Sequence, residues 1–280
     1  MAAAALLVVA MATRGREGRA TRFVCAFAGE TALVSALYAL WQLANTLPLE
    51  HIPGAEHRGR QIYSLERWLH LPNELAVERW IVPHRLVSEA TNLYYATLHV
   101  PVLLLFLLWL FVRHRDQYGR WRNALVGLTA FCLFIRFVRV APPRLLPDLG
   151  FFDLGERYGQ SVYGPVGTGL SDQFAAMPSI HVGWAAVVGF GAVATSRSSW
   201  RWLWLLHPTL TMFVVSATGN HWWLDGIVAI VLLGVSLLID GAVRRLVPRW
   251  SSRPEDRRLV PPVNVDDQAD DRERAAALTR

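Results

Sequence analysis

Two short motifs place histidines beside groups suited to phosphoryl chemistry. The first is MPSIH at residues 177–181, and the second is GNHWWLD at residues 219–225. A histidine can serve near neutral pH as a nucleophile or as a proton donor. Asp225 lies four residues after His221, so on a helix the two would share one face, and the carboxylate would hold one ring proton while the other nitrogen attacks. The motifs therefore predict a nucleophilic histidine, His221, with Asp225 as its orienting group, and a second histidine, His181, in the other motif.

The residues around this pair also predict a phosphate site. Pro178 suits the first turn of a helix because that position needs no amide partner. The next three amides, from Ser179 to His181, would then point from a positive helix end, where anions bind. The Ser179 hydroxyl adds a hydrogen-bond donor. Arg144, in the string APPR at residues 141–144, adds a planar guanidinium group that can bind two phosphate oxygens at once.

Long apolar segments indicate the elements that must position these motifs. Each is close to the length that a helix needs to cross the hydrocarbon core, and a backbone in lipid must satisfy its own hydrogen bonds. We therefore predict an all-α, polytopic membrane bundle in residues 23–243, after an N-terminal segment 1–22 and before a disordered cytoplasmic tail 244–280. The six predicted spans cover about 23–47, 88–112, 121–140, 177–195, 200–217 and 222–243.

Arginine placement orients the predicted spans. Arginines cluster before the first span, between the second and third, between the fourth and fifth, and after the sixth. All four clusters fall on one side if both termini are cytoplasmic, which the positive-inside rule favours. Both histidine motifs and the APPR string then face the outside of the cell membrane. On that side, the connection of about residues 48–87 contains a stretch, 62–82, predicted to form one helix in the interface.

The motif residues resemble those of a known family. PSIH followed by HWWLD, with an arginine upstream, is similar to the type 2 phosphatidic acid phosphatase superfamily, over about residues 88–240. The fuller strings FAAMPSIH and GNHWWLD, with APPR before them, most resemble its inositol phosphorylceramide synthase-like branch. The resemblance implies that His221 attacks phosphorus to form a phosphohistidine, that Asp225 orients it, and that His181 protonates the leaving oxygen. It also implies that neither a metal nor another cofactor takes part.

The phosphate-binding set departs from the superfamily pattern. An arginine of that pattern, six residues before the nucleophile, is replaced here by Val215, and a lysine, seven before the first arginine, by Phe137. Arg136 and Arg139, near the end of the third span, are the available substitutes. Two further residues, His99 and Asp172, are candidate substrate contacts. His99 lies on a polar stripe of the second span, where interhelical hydrogen bonding is the alternative role. Asp172 lies in the loop before MPSIH. The predicted phosphate-binding residues are Arg144, Ser179, Arg139, Arg136 and Asn220.

These features predict an integral-membrane lipid phosphotransferase that acts on a lipid-linked phosphate reached from the outer leaflet. The same motifs fit a phosphatase of phosphatidic acid or of a polyprenyl diphosphate, and a non-catalytic lipid-binding or transport protein is the alternative from another class. The net charge of +6 does not indicate a nucleic-acid partner, because the arginines flank apolar segments. The expected partners are membrane lipids, and the oligomeric state is left open.

Overall fold

The structure, a computed structural model, describes residues 19–45, 54–158 and 173–246. Of these residues, 80% lie in helices. No strand occurs in these ranges, and a single β-bridge pairs Val140 with Ala175. The all-α prediction is therefore confirmed. The described α-helices are α1 Arg19–Asn45, α2 Ala55–Trp68, α3 Glu74–Ile81, α4 Arg85–Thr97, α5 His99–Arg113, α6 Arg115–Ile135, α7 Leu154–Arg157, α8 Ile180–Thr195, α9 Leu206–Ala217 and α10 Trp223–Leu246.

Each apolar segment predicted to span the membrane lies on a helix, but two of the segments are broken. The second segment forms α4 and α5, which are bent by 48° relative to each other. Pro101 explains the break, because it cannot donate to the carbonyl of Thr97 and its ring crowds that carbonyl. The fifth segment begins with a 3-10 stretch, Ser199–Leu205, and continues as α9.

One described helix, α10, is long and apolar enough by itself to cross a bilayer. The bent pair α4 and α5 passes the same test when it is taken as one broken span, while α8 is apolar but shorter. A membrane association is therefore supported. The arrangement of six spans is not confirmed and stays a prediction.

The connection that the arginine clusters predict on the outer side forms two helices where one was predicted, α2 and α3, which we call the outer helices after that prediction. The stretch 62–82 is interrupted between α2 and α3, where Pro72 and Asn73 stop the first helix and start the second. Asn73 caps α3, since its side chain accepts a hydrogen bond from the Leu75 amide at 3.1 Å. Both helices carry fully buried glutamates, so this stretch is packed against protein on one side.

Small residues let α8 pack closely in the centre of the molecule. Gly183 faces Leu128 of α6, and a Cβ added at Gly183 would come within 2.9 Å of that side chain. Gly191 faces Phe106 of α5 and Trp121 of α6 in the same way. Close approach of this kind gives extensive van der Waals contact between apolar helices. The start of α8, with His181, is therefore held firmly against its neighbours.

The chain divides into a large compact unit, residues 1–240, and a second unit, residues 241–280. In the second unit the structure describes only the end of α10, up to Leu246. Residues 1–18 of the predicted N-terminal segment and the predicted tail beyond Leu246 lie outside the described residues. Asp172 lies outside them as well.

Candidate active site

The His221 ring is held through one nitrogen. Its Nδ1 lies 2.7 Å from the carbonyl oxygen of Ala176 and 3.3 Å from Oδ2 of Asp225. Both of these atoms are acceptors, so the hydrogen-bond pattern assigns the ring proton to Nδ1. The Nε2 atom then carries the lone pair. His221 is buried, and this arrangement leaves it one nucleophilic nitrogen.

Asp225 reaches His221 by a different geometry from the one predicted. The helix α10 begins at Trp223, so His221 precedes it and the two residues do not share a helix face. The Asp225 carboxylate instead folds back over the helix start, where Oδ2 also accepts from the Trp222 amide at 2.9 Å. One carboxylate oxygen therefore orients the histidine and caps the helix behind it.

The two histidine motifs meet in the structure. His181 is the second residue of α8, and its ring centroid lies 5.7 Å from that of His221, with 59° between the ring planes. A backbone bond joins the motifs, because the Ser179 amide donates to the Asp225 carbonyl at 3.0 Å. A phosphoryl group between the two rings would be within reach of both.

Fewer backbone amides are available to bind an anion at the start of α8 than the three that were predicted. Ser179 is the N-cap of α8, and its Oγ accepts from the Val182 amide at 3.4 Å. Its own amide is already used by the Asp225 carbonyl, so the prediction that three amides point at the anion is corrected to two. The first-turn amides of Ile180 and His181 remain at the positive end of α8.

Arg144 lies in a short 3-10 turn, Pro143–Leu145, beside the GNH motif. The side chain is buried, and its Nε donates to Oδ1 of Asn220 at 3.0 Å. Its Nη1 donates to Oε1 of Gln173 at 3.2 Å and to Oδ2 of Asp153 at 3.3 Å. These bonds fix the plane of the guanidinium, which is the group best suited to bind phosphate in two-point fashion.

Asn220 contacts Arg144 at one end and Thr218 at the other. Its Nδ2 donates to Oγ1 of Thr218 at 2.8 Å, so both ends of the amide have protein partners. The residue before it, Gly219, has a φ of 66°, and its carbonyl accepts from the Arg144 amide at 2.9 Å. Glycine adopts this left-handed backbone without strain. The turn therefore binds Arg144 through both backbone and side chain, and Asn220 orients the arginine.

Arg136 and Arg139 follow the last turn of α6, and both side chains are buried. The Arg139 carbonyl accepts from Nε of Arg58, and the next residue, Val140, pairs with the segment just before MPSIH through the Phe174 carbonyl at 2.7 Å. This pairing places the segment after α6 beside the residues that directly precede the MPSIH motif. The assignment of either arginine to phosphate stays a prediction.

An aromatic cluster packs behind His181. The rings of Tyr95 and His99 lie with their centroids 4.5 Å and 4.7 Å from that of His181. Tyr94, next in the cluster, has its hydroxyl 3.0 Å from Nδ1 of His207. His99 is therefore a direct neighbour of His181, while its contact with substrate stays a prediction.

Sequence reasoning missed three buried glutamates of the outer helices. Glu66 and Glu74 accept hydrogen bonds at the start of α10, and Glu78 accepts from the Phe152 amide at 3.2 Å. Burial raises the pKa of the Glu78 carboxyl to about 8, although the Phe152 amide opposes the shift. The two short helices carry four glutamates, and only the fold shows that three of them, Glu66, Glu74 and Glu78, point inward.

Comparison with known proteins gives one family match. The family model described as the PAP2 superfamily matches residues 60–239, which include both histidine motifs, Arg144 and the buried glutamates. Searches of curated proteins and of solved structures gave no match. Members of this superfamily are generally phosphatases, so the match supports an enzyme of phosphatase or phosphotransferase type. The match identifies the superfamily and does not confirm the inositol phosphorylceramide synthase-like branch. At the level of the superfamily the resemblance is confirmed: the chain belongs to the PAP2 superfamily.

Proposed function

We propose that the protein is an integral-membrane lipid phosphotransferase that acts through a phosphohistidine at His221. The observation that carries the proposal is the histidine pair: two rings 5.7 Å apart, one of them held through Nδ1 by a carboxylate and a carbonyl. A held Nδ1–H makes Nε2 the nucleophile, and the second ring is placed to handle the proton of the departing oxygen.

The proposed reaction has two steps. In the first, His221 Nε2 attacks phosphorus, the bond from phosphorus to the leaving oxygen breaks, and His181 gives that oxygen a proton. In the second, the hydroxyl oxygen of the acceptor attacks the phosphohistidine, His181 takes its proton, and the bond from phosphorus to Nε2 breaks. Arg144 and the first-turn amides of Ile180 and His181 stabilise the equatorial oxygens, whose charge grows in each transition state. The chemistry as proposed needs no metal.

The proposed substrate is a lipid-linked phosphate that enters from the outer leaflet. Its support is the apolar helix α10, whose start carries the site and whose end carries Arg244 and Arg245. Arginines at one end and the site at the other agree with a cytoplasmic C-terminus and an external active site. The four arginine clusters of the sequence favour six spans with both termini inside the cell, which is the topology we propose.

A transferase and a phosphatase differ here only in the acceptor. The strings FAAMPSIH and GNHWWLD favour transfer of a headgroup phosphate, such as phosphoinositol, to a lipid alcohol, while membership of the superfamily favours hydrolysis as the second candidate. Hydrolysis uses the same two steps with water as the acceptor.

The test is an assay of the purified protein in detergent. The donors are phosphatidic acid, a polyprenyl diphosphate and a phosphoinositol lipid, each with and without a lipid alcohol, and the His221→Ala variant is the control. We expect the headgroup phosphate to appear on the lipid alcohol, and vanadate to inhibit the transfer as a mimic of pentavalent phosphorus. Release of free phosphate at a rate independent of the alcohol would overturn the transferase in favour of the phosphatase.

A further inference from the structure

Three carboxyl groups surround the first amides of α10. Asp225 accepts from the Trp222 amide at 2.9 Å, Glu74 from the Trp223 amide at 3.5 Å, and Glu66 from the Leu224 amide at 2.7 Å. These amides have no partner within the helix, so outside acceptors are expected. Two of the three acceptors come from α2 and α3, far away in the sequence. The segment that holds His221 is thus attached to the outer helices through two glutamates.

The charges of this cluster do not balance if all three groups are ionised. Glu66, Glu74 and Asp225 are all fully buried. Within the described part of the chain, the cation that contacts the cluster is Arg67, whose Nη2 lies 3.2 Å from Oε2 of Glu74. Buried charges without a partner are costly, and several carboxylates at one place are more so. At least one carboxyl group of the cluster should therefore be neutral.

Two oxygens of the cluster are buried with no hydrogen-bond partner among the described residues, Oε2 of Glu66 and Oδ1 of Asp225. Glu66 is the one of these two groups that has another carboxyl, Glu74, within hydrogen-bonding reach to receive a proton. Its Oε1 accepts from the Leu224 amide, but no N–H or O–H of the described residues donates to its buried Oε2. The Glu74 carboxyl is near enough to hydrogen bond with it. A proton on Glu66 Oε2 would be donated to Glu74, which keeps its charge beside Arg67. This single proton gives Oε2 a partner and removes one buried charge.

We propose that Glu66 is a positioning residue of this active site: as a neutral acid it donates to Glu74 and holds the Leu224 amide. It thereby fixes the start of α10, which carries Asp225 and directly follows the segment of His221. The catalytic part of this inference rests on the proposed function. The structural part, a protonated Glu66 between α2, α3 and α10, does not depend on any substrate.

The titration of Glu66 agrees with this arrangement. Burial, the hydrogen bond with Glu74 and the negative charges of Glu74 and Asp225 together raise the pKa of Glu66 to about 10, with burial the largest cause, and the Leu224 amide opposes the shift. The ordinary pKa is 4.5, so between these values the unfolded chain has lost a proton that the folded protein keeps. Folding stability then falls as pH rises across this window. Above it, Glu66 ionises and repels its two acidic neighbours.

The experiment compares Glu66→Gln, Glu66→Ala and the control Glu56→Gln with the parent protein. Glu56 lies on the same helix α2, but its side chain is 54% exposed and pairs with Arg60. Thermal unfolding in detergent and steady-state kinetics on the best lipid phosphate are measured from about pH 6 to about pH 11, which brackets the titration. The carboxamide of Glu66→Gln can accept from Leu224 and donate to Glu74, as the neutral acid does.

The expected results separate positioning from mere support of the fold. Glu66→Gln should keep kcat within about threefold at neutral pH, lose the alkaline fall in activity near pH 10, and unfold with less dependence on pH. Glu66→Ala should lower kcat about tenfold or more with little change in KM, because a displaced His221 still leaves the binding groups in place. Glu56→Gln should behave as the parent.

Two outcomes would overturn the inference. If Glu66→Gln loses as much kcat as Glu66→Ala, the site needs an ionised carboxylate there. If Glu66→Gln unfolds with the same pH dependence as the parent, Glu66 titrates as an ordinary glutamate. The unfolding measurement needs no substrate, so it decides on Glu66 even if the parent protein turns over none of the lipid phosphates, a result that would defeat the proposed function instead.

Discussion

At the scale of single residues, the reacting groups depend on neighbours outside the motifs. His221 is oriented by Asp225 of its own motif and by the Ala176 carbonyl. The plane of Arg144 is set by Gln173 and Asp153 as well as by Asn220. A buried arginine held in this way presents a fixed fork, which a flexible lysine cannot reproduce.

Arg144→Lys should therefore be a severe change. We expect kcat/KM to fall by about tenfold to hundredfold, because the ammonium cannot keep the contacts of Nε and Nη1 and also meet two phosphate oxygens. Steady-state kinetics on the preferred lipid phosphate measures the effect. Arg85→Lys is the matched control, since the Arg85 side chain is 77% exposed. If Arg144→Lys has the activity of this control, Arg144 does not bind the transferring phosphate.

Part of the site could be predicted from short-range patterns. The pairing of His181, His221 and Asp225 follows from two motifs of a few residues each. The roles of Glu66 and Glu74 could not be predicted, because they depend on contacts across more than a hundred residues of chain. Nothing in the local sequence of α2 tells that its glutamates meet the start of α10.

At the scale of elements, helix starts do most of the positioning. The helices α8 and α10 begin beside each other, tied by the bond from the Ser179 amide to the Asp225 carbonyl. The long apolar segments predicted where helices lie. Their breaks were not predicted, and they have local causes: Pro101 separates α4 from α5, and Pro72 with Asn73 separates α2 from α3.

Ser179 caps α8, and its hydroxyl is also proposed to donate a hydrogen bond to the substrate phosphate. Two substitutions separate these roles. Ser179→Ala should lose about 1 kcal/mol of stability, since alanine cannot cap, whereas Ser179→Gly should lose only a few tenths. Both variants lack the hydroxyl, so both should lose several-fold in kcat/KM. Thermal unfolding and kinetics on the same samples measure the two effects. Full activity in Ser179→Gly would show that the hydroxyl only caps the helix.

At the scale of the whole molecule, the open question is how the helices lie in the bilayer. The helix α10 meets the length and hydropathy of a span alone, and α4 with α5 meets them as a bent pair. The arginine clusters predict that the outer helices α2 and α3 and the connection between α8 and α9 face opposite sides. This property belongs to the molecule as a whole, and it can be measured directly.

Single cysteines should report the two sides. In a background with Cys25 and Cys132 replaced by alanine, exposed positions Ser64 on α2 and Ser199 after α8 are changed to cysteine one at a time. A membrane-impermeant maleimide applied to intact cells should label Ser64→Cys and not Ser199→Cys. After permeabilisation both should react. Labelling of Ser199→Cys in intact cells would contradict the cytoplasmic placement of that connection.

The most direct measurement of the central claim is the position of the phosphoryl group during turnover. The purified protein is mixed with a lipid phosphate labelled at phosphorus, quenched in base within the first turnovers, digested, and the modified peptide is sequenced by mass spectrometry. We predict an acid-labile phosphoryl group on the His221 imidazole, which is absent in His221→Ala. Equal labelling of His221→Ala, or a label on any other side chain, would contradict the account.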